Sequence, residues 1–301
     1  MNPGFTWNIV TDFQWMWSVP SMVNAFRGGF VVAIMAGVVG WFMVLRKQSF
    51  AGHSIAVTGF PGAAAAVYFG LSATLGYFGF CIGSALVIAL FSRGGDSGAG
   101  DRAHSSALIA IVQAFALALG ALFLSLYGGF LDSTSSFLFG DFLGITSTDV
   151  LTLTVVAAVV LACTAVLGRR LLFASVDPAV AAARGVPVRG MNLIFLVLLG
   201  ATVAEVSKFT GSLLVFALLV MPAATAQVLT ARPGFSLLIT AVIGVLVTWV
   251  GLTWAYFGNQ ATGFTITSLA FGCYVVAFAV RFLRAQLSDA RSTLEHAEAV
   301  A

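Results

Sequence analysis

Ionisable residues are scarce inside the apolar stretches of this chain, and the few that stand there are the places where chemistry is available. His53 follows Arg46-Lys47 by six residues, which puts it about 9 Å further along a helix. An imidazole at that depth is either a hydrogen-bonded structural group or a metal ligand, since neutral imidazole binds zinc and other transition metals. Glu205 and Lys208 stand at i and i+3, so their side chains meet on one helical face. They form a mutual ion pair, or Glu205 is a metal-binding carboxylate facing a pathway and Lys208 controls its charge. Asp132, Asp141 and Asp149 fall with Asp12 in segments on one side of the chain. There they concentrate cations and dock a basic partner, or they are ordinary solvated loop charge.

The matrix that must hold these groups is a membrane. Hydrophobic residues make up 60% of the 301 and charged residues only 8%, against about a quarter charged in soluble domains. A spanning helix takes roughly 20 apolar residues, and Gly, Pro and charge clusters divide the run into nine candidate spans: 22–45, 53–71, 73–91, 105–127, 148–168, 190–207, 211–231, 235–256 and 262–283. The expected fold is all-α, a polytopic integral membrane protein with about nine transmembrane helices. Its parts are an extracytoplasmic segment (1–21), a transmembrane domain (22–284) and a cytoplasmic tail (285–301). The second span reads as short and broken by Phe60-Pro61-Gly62. The Gly-rich stretch 92–104 reads as a flexible connector, and the tail as a short surface helix or a fraying terminus. No basic n-region precedes Arg27, so no cleaved leader is expected. Cys81, Cys163 and Cys273 are widely spaced and form no redox or zinc motif. No basic patch with interleaved aromatics points to nucleic acid.

Charge sets the orientation. With the N-terminus outside, Arg46, Lys47, Arg93, Arg102, Arg169, Arg170, Arg184, Arg189, Arg232, Arg281, Arg284 and Arg291 all fall inside, leaving only Arg27 and Lys208 at the outer side. That is the positive-inside pattern of a multi-pass cell-membrane protein with a cytoplasmic C-terminus.

Inside, the 177–187 connection carries helix start and stop signals in order. Asp177 caps, Pro178 suits the first helical position, and Gly185 with Pro187 stops the helix after Ala181 and Arg184. A short rigid helix between two spans is suited to receive a push from a cytoplasmic motor; the plain alternative is a connecting turn. Two spans, five apart, carry Pro followed by small residues, at Pro61-Gly62 and at Pro222. They are expected to be broken helices lining a pathway, compatible with an inverted repeat, or simply tightly packed segments. No P-loop, GxSxG or HExxH motif is present, which disfavours an enzyme and makes any ATPase a separate chain.

Several stretches together resemble one family: Val44-Leu45-Arg46-Lys47-Gln48-Ser49-Phe50-Ala51-Gly52-His53 running on to Gly59-Phe60-Pro61-Gly62, Phe137-Leu138-Phe139-Gly140-Asp141 and beyond, 177–187, and Gly211-Ser212-Leu213-Leu214 through Met221-Pro222-Ala223-Ala224. These are similar to the permease subunits of ABC importers for zinc, manganese and iron, from about residue 22 to 284. The resemblance implies a homodimer of permeases, a pair of cytoplasmic ABC ATPase subunits docking at 177–187, an extracytoplasmic metal-binding protein, and a transported divalent metal without a bound cofactor. Many members carry an acidic residue and, four positions later, a His before the Pro-Gly. Here those positions are His53 and Val57, one ligand in place of two. The alternatives are an ABC permease for a metal chelate such as a siderophore or cobalamin, a secondary transporter coupled through Glu205 and His53, and a scaffold with no substrate.

Overall fold

The computed structural model describes residues 9–91, 99–126, 140 and 144–300. Their regular structure is entirely helical: α1 (Ile9–Ser18), α2 (Pro20–Leu45), α3 (Ser49–Tyr68), α4 (Ala73–Phe91), α5 (Ala99–Leu126), α6 (Ser147–Val176), α7 (Pro178–Ala183), a helical run over Val188–Leu229, α10 (Pro233–Gly258) and α11 (Thr262–Val300). Proline opens α2, α7 and α10, where its missing N–H would have had no helical partner. Thr146 and Asp149 start α6 with a reciprocal capping box, and Asn259 in the left-handed region ends α10.

Among the described residues, eight helices are long and apolar enough to cross a membrane. The Val188–Leu229 run is itself two passes, α8 (Val188–Ser212) and the shorter α9 (Leu214–Leu229). The break is Gly211, at φ 70 and ψ 160, a region of backbone space that essentially only glycine occupies. Side-chain contacts show that the chain reverses there. Asn192, near the start of α8, accepts from Arg46 at 3.0 Å, and Gln227, near the end of α9, donates to the Trp41 carbonyl at 2.9 Å. Both ends of the run therefore lie at the C-terminal end of α2. A straight helix would have put Gln227 about 50 Å from Asn192. With this hairpin the described helices amount to nine passes.

The same ladder fixes the neighbours. Trp41 Nε1 donates to Ser236 Oγ of α10 at 2.9 Å, while Asn24 donates to the Ile145 carbonyl before α6 and Trp249 Nε1 to the Phe26 carbonyl, both at 3.3 Å. Arg46, Lys47, Arg184, Arg189 and Arg232 thus share one end of the bundle. Most of α2, α3 and α8 is buried, whereas α5, α6 and α11 are largely exposed. The central helix α3 is also the least apolar of the spans. Its hydroxyls are partnered inside the protein, Thr58 with Ser84 at 3.0 Å and Ser54 with Gln113 at 2.7 Å.

Several sequence expectations are corrected. Neither Pro61 nor Pro222 breaks its helix; α3 and α9 are continuous through them. Both prolines are buried, and Pro61 lies against Gly120 of α5, so the backbone groups they release stay within protein. Gly62 permits a close crossing: a Cβ there would collide with the Gly76 carbonyl of α4, and one on Gly76 with Gly62. The fifth span reaches Val176 rather than 168, with Arg169 and Arg170 on its exposed face, where long side chains reach the interface. Residues 99–104 belong to α5 rather than to a loop, while 92–98 lie outside the described residues. The tail continues α11 as helical backbone to Val300. Finally, α3 and α9 run in opposite directions, the minimum an inverted repeat requires.

Candidate functional site

The basic end of the bundle is built around α7. Asp177 ends α6, its N–H bonding the Phe173 carbonyl at 3.2 Å, and caps α7, its carboxylate accepting from Val180 N at 2.9 Å. Pro178 takes the first helical position. At the other end Gly185 sits at φ +80, and the Gly185 and Val186 N–H groups bond the Ala182 and Ala181 carbonyls, each at 3.0 Å. This is the Schellman closure that a left-handed glycine permits. Ala181 is fully buried and anchors the helix, while Pro178, Ala179, Val180, Ala182, Ala183 and Arg184 are exposed. The product is a six-residue helix, rigid at both ends, presented outward between α6 and α8.

Beneath it lies a polar cluster at the α2–α3 turn. Arg46 donates through Nη1 to Ser175 Oγ at 3.2 Å, through Nη2 to Asn192 Oδ1 at 3.0 Å and through Nε to Gln48 Oε1 at 3.4 Å. Gln48 Nε2 donates to the same Asn192 oxygen at 2.7 Å, and the guanidinium lies 5.1 Å from the centre of the Phe195 ring. Burial among these neutral groups pulls the Arg46 guanidinium down to about 10, because removal from water disfavours its charged form. From the sequence, Arg46 counted only as an inside charge. The amides Gln48 and Asn192, set at the ends of apolar spans, were the available signal.

His53 sits just beyond the first turn of α3, half-buried, with its ring edge-on to Phe216 of α9 at 4.9 Å. Phe50, His53 and Val57 form a partly exposed stripe on α3, and Phe216, Val220 and Ala224 are the partly exposed positions on one face of α9, the two helices meeting at His53 and Phe216. Glu205 does not join this stripe. It is 1% exposed and lies on α8 two turns before Gly211, toward the other end of the bundle, with Oε1 3.5 Å from Lys208 Nζ. The Lys208 ammonium also lies 5.1 Å from the Phe209 ring centre. The two metal-ligand candidates are therefore not brought together in one chain. Among the described residues no group of three His, Cys, Asp or Glu side chains is placed to hold a metal ion.

Of the three acids expected at an outer face, Asp132 and Asp141 lie outside the described residues. Asp149 has a structural task, as its carboxylate accepts from the Thr146 hydroxyl at 2.6 Å and from the Thr146 N–H at 3.3 Å. The Thr146-x-x-Asp149 pattern was the legible sign of this capping box.

The chain is 29% identical over 247 residues to the manganese transport system membrane protein MntC of Listeria innocua, covering 82% of this chain and 86% of that one. It is 30% identical over 262 residues to the manganese import system permease protein ScaB of Streptococcus parasanguinis, covering 86% and 88%. The solved structure of PsaBC from Streptococcus pneumoniae in complex with Fab superposes with a TM-score of 0.77 at 27% identity, over 90% of this chain and 95% of that one. The ABC 3 transport family matches residues 18–281, so a helical bundle with this topology, from α2 to the membrane-spanning part of α11, belongs to that family.

Proposed function

We propose that this chain is the membrane permease subunit of an ATP-driven importer for a divalent transition-metal ion, manganese first and zinc second. Two copies form the pathway, separate cytoplasmic ABC ATPase subunits supply the work, and an extracytoplasmic metal-binding protein delivers the ion. The observation that carries the reading is α7, capped at both ends and exposed at the basic end of the bundle. A helix that keeps its shape under load converts a push into displacement of α6 and α8, which an unconstrained loop does not.

The positive-inside rule makes that end cytoplasmic, which leaves the N-terminus outside and the C-terminus in the cytoplasm. Manganese is favoured by the names of the MntC and ScaB relatives. In the pathway, His53 offers one imidazole per copy, and the partly exposed α3 stripe that holds it is the surface on which a second copy contributes another. Pro61, Gly62 and Pro222 pack the two helices that flank this stripe. At the outer mouth Asp132, Asp141 and Asp149 provide the negative face for the delivering protein.

The test is reconstitution of the permease with its ATPase and binding protein in proteoliposomes, following radiolabelled Mn²⁺. Uptake that requires ATP on the α7 side and survives ionophores supports the proposal. Uptake that needs no ATPase and collapses with the ion gradient overturns it in favour of a secondary transporter. Transport of a metal chelate with exclusion of free Mn²⁺ overturns the substrate assignment.

A further inference from the structure

We propose that the Arg46 guanidinium, held by Ser175, Asn192 and Gln48, is the joint that carries movement of α7 into the pathway helix α3. The inference rests on the reading of α7 as the ATPase-facing element and adds the residues that pass its motion on.

The placement of the four partners is the argument. Ser175 stands two residues before the α7 cap Asp177, and Asn192 lies five residues after Pro187, so Arg46 grips both flanks of α7 at once. Gln48, the residue on which α3 begins, holds the same Asn192 oxygen as Arg46. Any displacement of the α7 flanks therefore pulls on the α2–α3 turn through a shared acceptor. That turn cannot absorb the displacement. It has a single residue, Lys47, in the left-handed region (φ 56), and it is closed by backbone bonds from Lys47 N to Val44 O and from Gln48 N to Met43 O, each 3.0 Å. What moves Gln48 moves α3, and His53 is five residues further on.

The chemistry suits a joint that must shift. The described hydrogen bonds of Arg46 go to neutral oxygens, so no ion pair locks it in one register. The planar cation over Phe195 can slide across an aromatic face while keeping part of its attraction. Leaving a half-buried guanidinium short of acceptors carries a cost, which favours the partners moving with it over separating.

The experiment uses the whole importer in proteoliposomes with Mn²⁺ as the probe, reading ions transported per ATP hydrolysed. Asn192→Leu removes the shared acceptor at similar volume, whereas Asn192→Gln keeps a neutral amide oxygen for Arg46. The expected result is a fall in ions per ATP of about fivefold or more for Asn192→Leu, the lower end of ordinary coupling energies, with assembly and hydrolysis retained. Asn192→Gln keeps a ratio near that of the parent. An unchanged ratio in Asn192→Leu overturns the proposal, and so does an equal loss of transport and hydrolysis, which is the mark of a merely structural residue. Should Asn192→Leu fail to assemble, Gln48→Leu at the half-buried turn is judged by the same ratio. If replacing Asp177 and Pro178 with Gly also leaves the ratio intact, the α7 reading itself is wrong; if that variant uncouples and Asn192→Leu does not, only the joint is wrong.

Discussion

Removing both caps of α7 gives a perturbation whose size follows from the structure. Asp177→Ala deletes the carboxylate that accepts from Val180 N, a loss of about 1 kcal/mol for a typical N-cap. Gly185→Ala places a Cβ on a residue at φ +80, at a cost of roughly 1–2 kcal/mol. Because the helix has six residues and Ala181 is its one buried side chain, packing offers little compensation, and a helix that short does not persist on propensity alone. The double variant should therefore lose about 2–3 kcal/mol of local stability, a shift of roughly 30- to 150-fold in the equilibrium between formed and melted α7. Hydrogen exchange on the purified complex reads this directly. Protection of the Arg184, Gly185 and Val186 amides should fall by that factor while α3 keeps its own, and ions transported per ATP should fall in parallel. Unchanged protection would refute the capping argument. Lost protection with unchanged coupling would refute the mechanical role of the helix.

Further predictions come from other levels of the bundle. Gly62→Val should cost roughly 1–3 kcal/mol or more through overpacking against Gly76 and Phe80, read as lower thermal stability in detergent. Gly79→Val, with nothing near its Cβ position, should leave stability unchanged. His53→Ala should lower Mn²⁺ uptake while the proposed dimer still assembles, and unchanged uptake would make His53 a packing partner of Phe216 alone. Glu205→Gln breaks a buried pair and should destabilise by about 3 kcal/mol; adding Lys208→Met should recover most of the loss, and a Tm unaltered by the single change would show that the pair contributes nothing.

The spans were legible because lipid allows few solutions: long apolar runs bounded by charge become helices, and arginines mark one face. The α7 signals were equally legible, since capping is local and Asp177, Pro178 and Gly185 each act within a turn of themselves. What the pattern hid was tertiary. Pro61 and Pro222 read as breaks, yet both helices pass through them, each proline buried among packed helices and Pro61 lying against Gly120. The break at Gly211, by contrast, was legible, because the candidate spans 190–207 and 211–231 meet there, where Glu205 and Lys208 interrupt the apolar run. The Arg46–Asn192 contact spans 146 positions, a separation over which no periodicity in one sequence reports. His53 and Glu205 were read from depth and charge alone, and depth says nothing about which face of a helix each occupies, so their separation became visible only in the fold.

The claim that α7 is where ATPase work enters the permease is tested most directly by contact. With a photo-reactive amino acid in place of exposed Ala182, irradiation of the assembled importer should link the permease to its ATPase, whereas the same probe at Thr253, toward the opposite end of the bundle, should not. Absence of the Ala182 adduct in an active, assembled complex, or modification of that position by reagents confined to the outer side, would contradict the account.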